Sequence, residues 1–258
     1  MNKIYRILFG IVLSLTLTTL ATAGDFTVMT GPHAPFTVTK GLRINGISVD
    51  TLEVIMKMTN TPFDRKQIKL LPWKKAYARA KALPKQIMLN VPRTKELEFQ
   101  FEWVGPVYLP KFVLIGKKDK EFAISSIADA SKYKIGVIRG SDPSKELLAQ
   151  GLDPAALKES TSYVQPLLQL KNGEVDLLAH SDMSATYLMK KMGMAKKDYK
   201  VVYTYDTIAL YFAFSKGTDP ARIKQLNSAL ATYKKPMSEW RSVFDKNTAK
   251  YLPNGVIE

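Results

Sequence analysis

Short apolar runs alternate along the chain with stretches whose apolar residues recur at helical spacing. This alternation is typical of layered α/β proteins. The extended apolar runs predict strands at 25–30, 68–71, 86–91, 112–116, 134–138, 174–178, 201–205 and 209–214. The helical patterns predict helices at 50–58, 73–82, 183–192, 219–233 and 236–249. The predicted fold class is therefore α/β.

The first residues have the pattern of a cleavable export signal. Lys3 and Arg6 precede a largely apolar run at 7–20, and Ala-Thr-Ala at 21–23 fits a cleavage site. The run is shorter than the ~20 residues that a spanning helix needs, and a retained anchor is the alternative. The chain has no cysteine, which excludes a lipid-anchored cysteine, disulfides, thiol catalysis and thiolate metal sites. We therefore predict that residues 1–23 are removed and that the protein resides in a Gram-negative periplasm.

The net charge and the length of the chain restrict the possible functions but do not identify one. The formal net charge is +15, and 46% of the residues are hydrophobic. About 235 residues follow the predicted signal, which is enough for two lobes of ordinary size. A basic protein attracts anionic ligands, although dispersed lysines also form an ordinary solvated surface. Nucleic acid is not a predicted partner, because no binding motif accompanies the charge.

The segment 90–108, NVPRTKELEFQFEWVGPVY, is the most distinctive part of the sequence. Thr94 is suited to start a helix, and aromatic residues follow at Phe99, Phe101 and Trp103. The other landmarks are HAPF at 33–36, GISVD at 46–50, PW at 72–73, GVIRGS at 136–141 and VDL at 175–177. In this order they resemble the periplasmic solute-binding proteins of family 3, the polar amino-acid ABC-transporter substrate-binding type.

The resemblance implies a periplasmic binding protein type II fold. Such a protein has two α/β lobes joined by a hinge, with the ligand in the cleft between them. Extended segments near 109–112 and 205–210 are suited to cross between lobes. The implied division is lobe 1 at 24–110, lobe 2 at 111–205, and a return to lobe 1 at 206–258.

Two first-lobe residues are candidate ligand contacts. His33 stands where the family often has an aromatic residue that stacks on the ligand. Its imidazole can stack, donate a hydrogen bond or sense pH, or it is a loop histidine without a ligand role. Trp73 follows Pro72 at a predicted helix start. Its indole offers a flat apolar face and one donor, or it packs within the lobe.

Asn90, Arg93 and Thr94 are further candidate ligand contacts, but their segment departs from the family at its main anchor. Thr94 can cap a helix whose free amides bind an anion, and the family holds the ligand carboxylate there. The family places an arginine three residues later, which forms a forked pair with that carboxylate. Leu97 occupies this position here. Arg93 is the nearest replacement, or else a surface arginine.

Arg139, Gly140 and Ser141 form the second-lobe counterpart. Glycine allows the backbone to approach a ligand closely. Ser141 or Asp142 can cap a helix that has Pro143 in its first turn. The family uses this loop to bind the other side of the carboxylate, and a capped turn without a ligand role is the alternative.

The segment after Asp176 departs from the family as well. The family commonly places an aspartate five residues after the counterpart of Asp176 to hold the ligand ammonium, and Ser181 stands there. His180 and Asp182 flank it, and a shift of one residue would give the role to Asp182. Loss of both the arginine and the aspartate predicts a changed ligand.

We predict a binding protein without catalytic chemistry, cofactor or metal. It captures a small polar, carboxylate-bearing ligand, amino-acid-like or an organic anion, for an inner-membrane transporter or a sensor. The family implies a monomer. One alternative is a lyase-type enzyme on the same scaffold, with acid or base candidates at His33, Glu96, His180 and Asp182. The other is a ligand-free interaction protein whose cleft has degenerated.

Overall fold

The computed structural model describes residues 26–61, 63–236 and 242–258. The predicted export signal at 1–23 lies outside these ranges. Within them, no helix combines the length and the apolar character that crossing a membrane requires.

The first lobe is a sheet with helices on both faces, and elements are numbered in chain order. Its strands are β1 (Thr27–Thr30), β4 (Lys69–Leu70), β5 (Gln86–Pro92), β6 (Phe101–Tyr108) and β12 (Leu210–Ser215). Its other elements are β2 (Val38–Lys40), β3 (Arg43–Asn45), α1 (Ile47–Met58), α2 (Trp73–Ala82), α7 (Pro220–Lys234) and α8 (Val243–Ala249). The sheet order is β4-β1-β5-β12-β6, with β1 parallel to β4 and β5, and β12 antiparallel to its neighbours.

The second lobe repeats this layered arrangement. Its strands are β7 (Lys111–Lys117), β8 (Ile135–Ile138), β9 (Leu157–Ser160), β10 (Leu177–Ser181) and β11 (Tyr199–Thr207). Its helices are α3 (Ile127–Ala130), α4 (Asp142–Ala149), α5 (Gln165–Asn172) and α6 (Asp182–Lys191). The sheet order is β11-β7-β10-β8-β9, with β8 parallel to both β9 and β10.

Strand residues alternate between the two cores of each lobe because successive side chains point to opposite faces. In β5, Ile87 and Leu89 join the buried cluster around α1, whereas Met88 joins the cluster around α2. In β10, Leu177 packs on one face of the second sheet and Leu178 on the other. Burial on both faces explains why these strands are continuously apolar in the sequence.

The chain crosses between the lobes at two short connections. Residues 109–110 lead from β6 to β7, and residues 208–209 lead from β11 back to β12. The backbone N–H of Ile208 donates to the Pro110 carbonyl oxygen at 2.9 Å. The two crossings are therefore bonded to each other, as the strands of a two-stranded hinge are.

The segment 250–258 contacts both lobes. The Tyr251 hydroxyl donates to Oδ2 of the buried Asp50 in lobe 1 at 3.2 Å. Lys196 Nζ of lobe 2 donates to the Asn254 carbonyl oxygen at 2.7 Å. This segment therefore ties the lobes together in addition to the two crossings.

The strand expected at 174–178 is displaced toward higher residue numbers and lies at Leu177–Ser181. α5 ends at Gly173, whose φ of 75° is in the left-handed region. The turn that follows, closed by the Glu174 N–H donating to the Gln169 carbonyl oxygen at 2.9 Å, occupies the start of the predicted strand.

Two predicted helices have different starts. The helix expected at 50–58 begins at Ile47, because the Ile47 N–H finds an acceptor in the Pro35 carbonyl oxygen at 3.0 Å. The helix expected at 236–249 is observed as α8, which begins at Val243 after its cap, Ser242. Residues 237–241 of that prediction lie outside the described part of the chain.

Candidate functional site

The predicted recognition residues gather at one edge of each sheet. In lobe 1, the carboxyl ends of the parallel strands β1, β4 and β5 lead to His33, Trp73 and Arg93. In lobe 2, the carboxyl ends of the parallel strands β8 and β10 carry Arg139 and His180. Ligands of open α/β sheets bind outside the carboxyl ends of the strands. The two edges are therefore the candidate site.

His180 is enclosed in lobe 2 near the end of β10. It is 8% exposed. Its Nδ1 accepts a hydrogen bond from the Ser181 backbone N–H at 2.9 Å, and its Nε2 has no partner. Burial lowers the pKa of His180 to about 4, and the nearby His33 lowers it further. The ring is therefore neutral at pH 7.

His33 lies in the loop after β1 and keeps contact with solvent. Its ring packs edge-on against the buried Phe36, with 4.9 Å between centroids. The surrounding protein lowers the pKa of His33, and Asp142 of α4 opposes this effect. Because a ring in contact with water loses little hydration, we expect a smaller depression of the pKa at His33 than at His180.

Electrostatic effects couple groups of the two lobes. His33 belongs to lobe 1, whereas Asp142 and His180 belong to lobe 2. Asp142 raises the pKa of His33, and His33 lowers the pKa of His180. Ionisable groups at the carboxyl edges of the two sheets therefore influence each other.

The Arg93 side chain interacts with other residues of lobe 1. Its guanidinium donates through Nε to Glu98 Oε2 at 2.7 Å and through a second nitrogen to Oε1. It also lies 5.7 Å from the centroid of the Trp103 ring and 5.5 Å from that of Tyr211. The bond to Glu98 raises the pKa of Arg93 and lowers that of Glu98. The arginine is thus oriented by a carboxylate and two aromatic faces.

Asn90 contributes to the interior of lobe 1. It is buried, with a left-handed φ of 61°. Its Oδ1 accepts a hydrogen bond from the Ser48 hydroxyl, and its Nδ2 donates to Thr37 Oγ1 at 3.2 Å. Both ends of its amide are thus engaged within the lobe, between the start of α1 and the loop after β1.

The helix expected to begin at Thr94 is absent. Thr94 is exposed and is followed by a turn in which the Leu97 N–H donates to the Thr94 carbonyl oxygen at 3.1 Å. One 3-10 turn, Glu98–Gln100, then leads into β6. The chain has to re-enter the sheet at Phe101, which leaves no room for an α-helix. Leu97 is partly buried against the cluster that contains Phe101.

Trp73 is the first residue of α2, after Pro72, and 45% of its surface is exposed. Large apolar side chains that remain exposed often mark binding surfaces. The helix boundaries match the sequence prediction at both ends. Trp73 therefore projects from the first-lobe edge rather than packing inside the lobe.

Arg139, Gly140 and Ser141 connect β8 to α4. The Arg139 Nε donates to Glu159 Oε2 at 2.8 Å on the exposed surface. Gly140 adopts a left-handed φ of 66°, which glycine tolerates without strain. The Ser141 hydroxyl accepts a hydrogen bond from the Ser144 N–H and caps α4. The capping predicted from the sequence is thereby confirmed.

Ser181 and Asp182 open α6. The Ser181 hydroxyl accepts from the Ser184 N–H at 3.2 Å. The buried Asp182 accepts through Oδ1 from the Lys111 N–H at 3.1 Å and from the Met183 N–H at 2.6 Å. Burial raises the pKa of Asp182, and these hydrogen bonds oppose the effect. Asp182 thus joins the start of α6 to the strand that follows the first crossing.

Several groups that shape the site were not among the sequence candidates: Glu98, Asp142, Glu159 and Tyr211. Glu98 lies five residues after Arg93, and the turn that brings them together replaces the expected helix. Glu159 and Tyr211 reach the site through strand pairing across longer sequence separations. Local sequence patterns do not carry that information.

Over 26–61, 63–236 and 242–258, no three His, Cys, Asp or Glu side chains come together as a metal site requires.

Solved structures share this fold. The substrate-binding protein of an amino acid ABC transporter is 21% identical, with a TM-score of 0.62 over 90% of this chain and 100% of that chain. A histidine kinase sensor domain with similarity to periplasmic binding proteins is 16% identical, with a TM-score of 0.66 over 90% and 97%. Substrate-binding domain 2 of GlnP from Lactococcus lactis, in an open conformation, is 19% identical, with a TM-score of 0.66 over 88% and 95%.

At these identities the comparisons establish the fold. The two-lobed periplasmic-binding-protein fold predicted from the resemblance is confirmed. The similar structures are binding proteins and a sensor rather than enzymes. No family model and no curated protein matches the sequence.

Proposed function

We propose that this protein binds a small polar solute bearing a carboxylate between its two lobes and delivers it to a membrane transporter or sensor. The observation that carries the proposal is the position of the candidate residues: His33 and Arg93 follow the carboxyl ends of lobe-1 strands, and Arg139 and His180 lie at the carboxyl ends of lobe-2 strands. Ligands of open α/β sheets bind at that edge. The similar structures serve amino acid transport and sensing, and these roles support the same function.

The charge of the two edges supports a carboxylate ligand. Arg93 at one edge and Arg139 at the other each bind a carboxylate of their own lobe, Glu98 and Glu159. A ligand carboxylate offers the same paired oxygens to the guanidinium. The amino end of α4, capped by Ser141, adds a partial positive charge to the second edge. A solute carboxylate can thus exchange with an internal one.

The ammonium group of an α-amino acid has no evident anchor here. Ser181, at the family's aspartate position, caps α6 with its hydroxyl. Asp182 is buried and uses Oδ1 for two backbone N–H groups. Leu97 replaces the arginine that would fix the carboxylate beside that ammonium. We therefore infer that organic anions bind at least as well as the corresponding amino acids.

Binding without catalysis fits the candidate acids and bases. The Asp182 carboxylate accepts a hydrogen bond from the N–H of Lys111, the residue that follows the first crossing. Glu96 is exposed at the surface. His180 is held neutral by burial, and its Nδ1 is already engaged. A general acid or base must reach the reacting atom and change its protonation near the working pH. Of the two histidines, His33 alone keeps contact with solvent.

Thermal unfolding with matched ligand pairs tests this proposal. The pairs are succinate with L-aspartate and glutarate with L-glutamate, which differ only in the amino group. A ligand at 100 times its Kd stabilises the folded state by about 2.7 kcal/mol. We expect at least one dicarboxylate to raise the melting temperature as much as its amino acid partner or more. Stabilisation by the amino acids alone, or by none of the four, would contradict it.

We further infer that the protein is exported to the periplasm by residues 1–23. The small residues at 21–23 and the absence of cysteine support a cleaved signal without a lipid anchor. Amino-terminal sequencing of the protein recovered from a periplasmic extract is the test. A sequence that begins near Gly24 is expected, and an intact amino terminus in the membrane fraction would contradict export and cleavage.

A further inference from the structure

His180 carries a hydrogen-bond donor that the described part of the chain leaves without a partner. Its Nδ1 accepts from the Ser181 N–H at 2.9 Å and is therefore unprotonated. In a neutral imidazole the hydrogen then resides on Nε2. That atom is buried and lacks a hydrogen-bond partner. Folded proteins pair nearly all buried donors, so an orphaned one requires an explanation.

This donor lies at the end of lobe 2 that adjoins the first crossing. His180 is the penultimate residue of β10, at the carboxyl edge where the second sheet ends. It lies opposite Val113 of β7. Asp182, two residues later, accepts from the N–H of Lys111, the first residue after that crossing. The unpaired N–H is therefore close to the junction with lobe 1, and His33 of lobe 1 lowers the pKa of this ring.

The groups that surround His180 do not supply the missing acceptor. Ser181, its neighbour, uses its hydroxyl to cap α6. His33 is a lobe-1 ring whose Nε2 and Nδ1 make no bond to His180 in this structure. The Asp182 carboxylate binds the Lys111 and Met183 N–H groups. An acceptor brought by a solute would satisfy the donor.

We propose that the His180 Nε2–H donates directly to an oxygen of the bound solute and selects ligands that place an acceptor there. This inference rests on the proposed function and assigns one contact within that site. A solute with an ammonium group at that position would place its own N–H donors against the Nε2–H donor of His180. Sites with a buried polar group discriminate strongly against ligands that leave it unpaired. His180 is thus a specificity-determining residue for acceptors over cations.

Isothermal titration calorimetry on two His180 variants tests the contact. The probe is the tightest binder among succinate, glutarate, L-aspartate and L-glutamate. His180→Gln retains an N–H donor near the Nε2 position, whereas His180→Leu fills a similar space without one. We expect the leucine variant to bind the probe about tenfold more weakly, which is the loss of one hydrogen bond, and the glutamine variant to remain within about threefold of wild type.

The outcomes separate this inference from the proposed function. Equal affinity of the leucine variant and wild type would overturn the role of His180 while leaving solute binding intact. Absence of binding by wild type to all four probes would overturn the carboxylate proposal, and this contact with it. Should the leucine variant not fold, the nitrogen-15 chemical shift of His180 Nε2 in wild type is measured with and without the probe. A shift on binding supports the contact, and an unchanged signal overturns it.

Discussion

Arg93 and Glu98 form a two-pronged ion pair at the carboxyl edge of the first sheet. The pair fixes the one arginine that stands near the position of the family's ligand anchor, since Leu97 occupies that position itself. Glu98 therefore competes with any solute carboxylate for the same guanidinium. The affinity of the site for anions depends on which of the two carboxylates Arg93 holds.

Removing that competitor should strengthen anion binding. In Glu98→Gln the guanidinium loses its charged partner, while the side chain keeps its size. We expect the dissociation constant for the best dicarboxylate to fall by ~2–5-fold, the range for an exposed ion pair. Titration calorimetry measures this, with Glu102→Gln on the same lobe as the control. Weaker binding by the Glu98 variant would show that Arg93 does not contact the ligand.

Asp182 should matter for stability more than for recognition. Asp182→Ala leaves the N–H groups of Lys111 and Met183 without their acceptor, and an unpaired buried donor costs ~1–3 kcal/mol. We expect a loss of about 2–4 kcal/mol in the free energy of unfolding, measured with urea. Asp182→Asn keeps the accepting oxygen and should lose less than half of this. If the asparagine variant instead folds normally but no longer binds amino acids, Asp182 is an ammonium anchor after all.

The buried His180 should make stability depend on pH. Its pKa is about 4 in the folded protein and 6.5 ordinarily, so the unfolded chain binds a proton that the folded protein excludes between these values. Stability is therefore unaffected above pH 6.5 and falls as the pH drops from 6.5 toward 4. The full loss is about 3 kcal/mol. His33 acts in the same direction but less, because its ring remains in contact with water.

Urea unfolding of wild type and His180→Gln across this pH range checks the effect. The variant lacks the titrating ring, so its stability should decline less steeply between pH 6.5 and 4. Identical slopes in the two proteins would mean that His180 is protonated in the folded state at a normal pKa.

The attachment of the segment 250–258 to lobe 2 should weaken when a single lysine is replaced. Lys196→Met removes the donor to the Asn254 and Val256 carbonyl oxygens and so loosens that segment from lobe 2. We expect amide exchange at Ile257, whose N–H donates to Thr186 Oγ1, to become about tenfold faster. The matched control is the neighbouring exposed Lys197→Met. Unchanged exchange at Ile257 would mean that this lysine contributes nothing to the attachment.

Much of the fold could be predicted from the sequence, because buried strands and helices have a characteristic local pattern of apolar residues. The bounds of α2 match the prediction, and the apolar runs at β5, β7, β8 and β12 lie within about a residue of the observed strands. The strand β10 was placed about three residues too early, since Gly173 ends α5 and opens a turn that resembles the start of a strand in composition. The short α3, the strands β2, β3 and β9, and α5 were missed because their periodic patterns are brief.

The position of the candidate residues at strand ends could be read from the sequence, but their contacts could not. His33, Arg93, Arg139 and His180 lie at the carboxyl edges because each follows or ends a parallel strand. The residues with which they pair could not be predicted from the sequence. Arg93 pairs with Glu98 only because the chain turns instead of forming a helix, and strand pairing, which spans long sequence separations, brings Glu159 to Arg139. The left-handed backbone of Asn90 directs its amide into lobe 1, where it hydrogen-bonds to Ser48 and Thr37.

The central claim is that a carboxylate-bearing solute is captured between the lobes, and the distance between the lobes tests it most directly. The chain has no cysteine, so Lys81→Cys in lobe 1 and Lys171→Cys in lobe 2 provide unique sites for two spin labels at exposed positions. Pulsed electron resonance then gives the distance between the labels with and without succinate or glutarate. We predict a narrower distribution at a changed distance when the dicarboxylate is bound. Binding that leaves the distribution unchanged would contradict capture between the lobes.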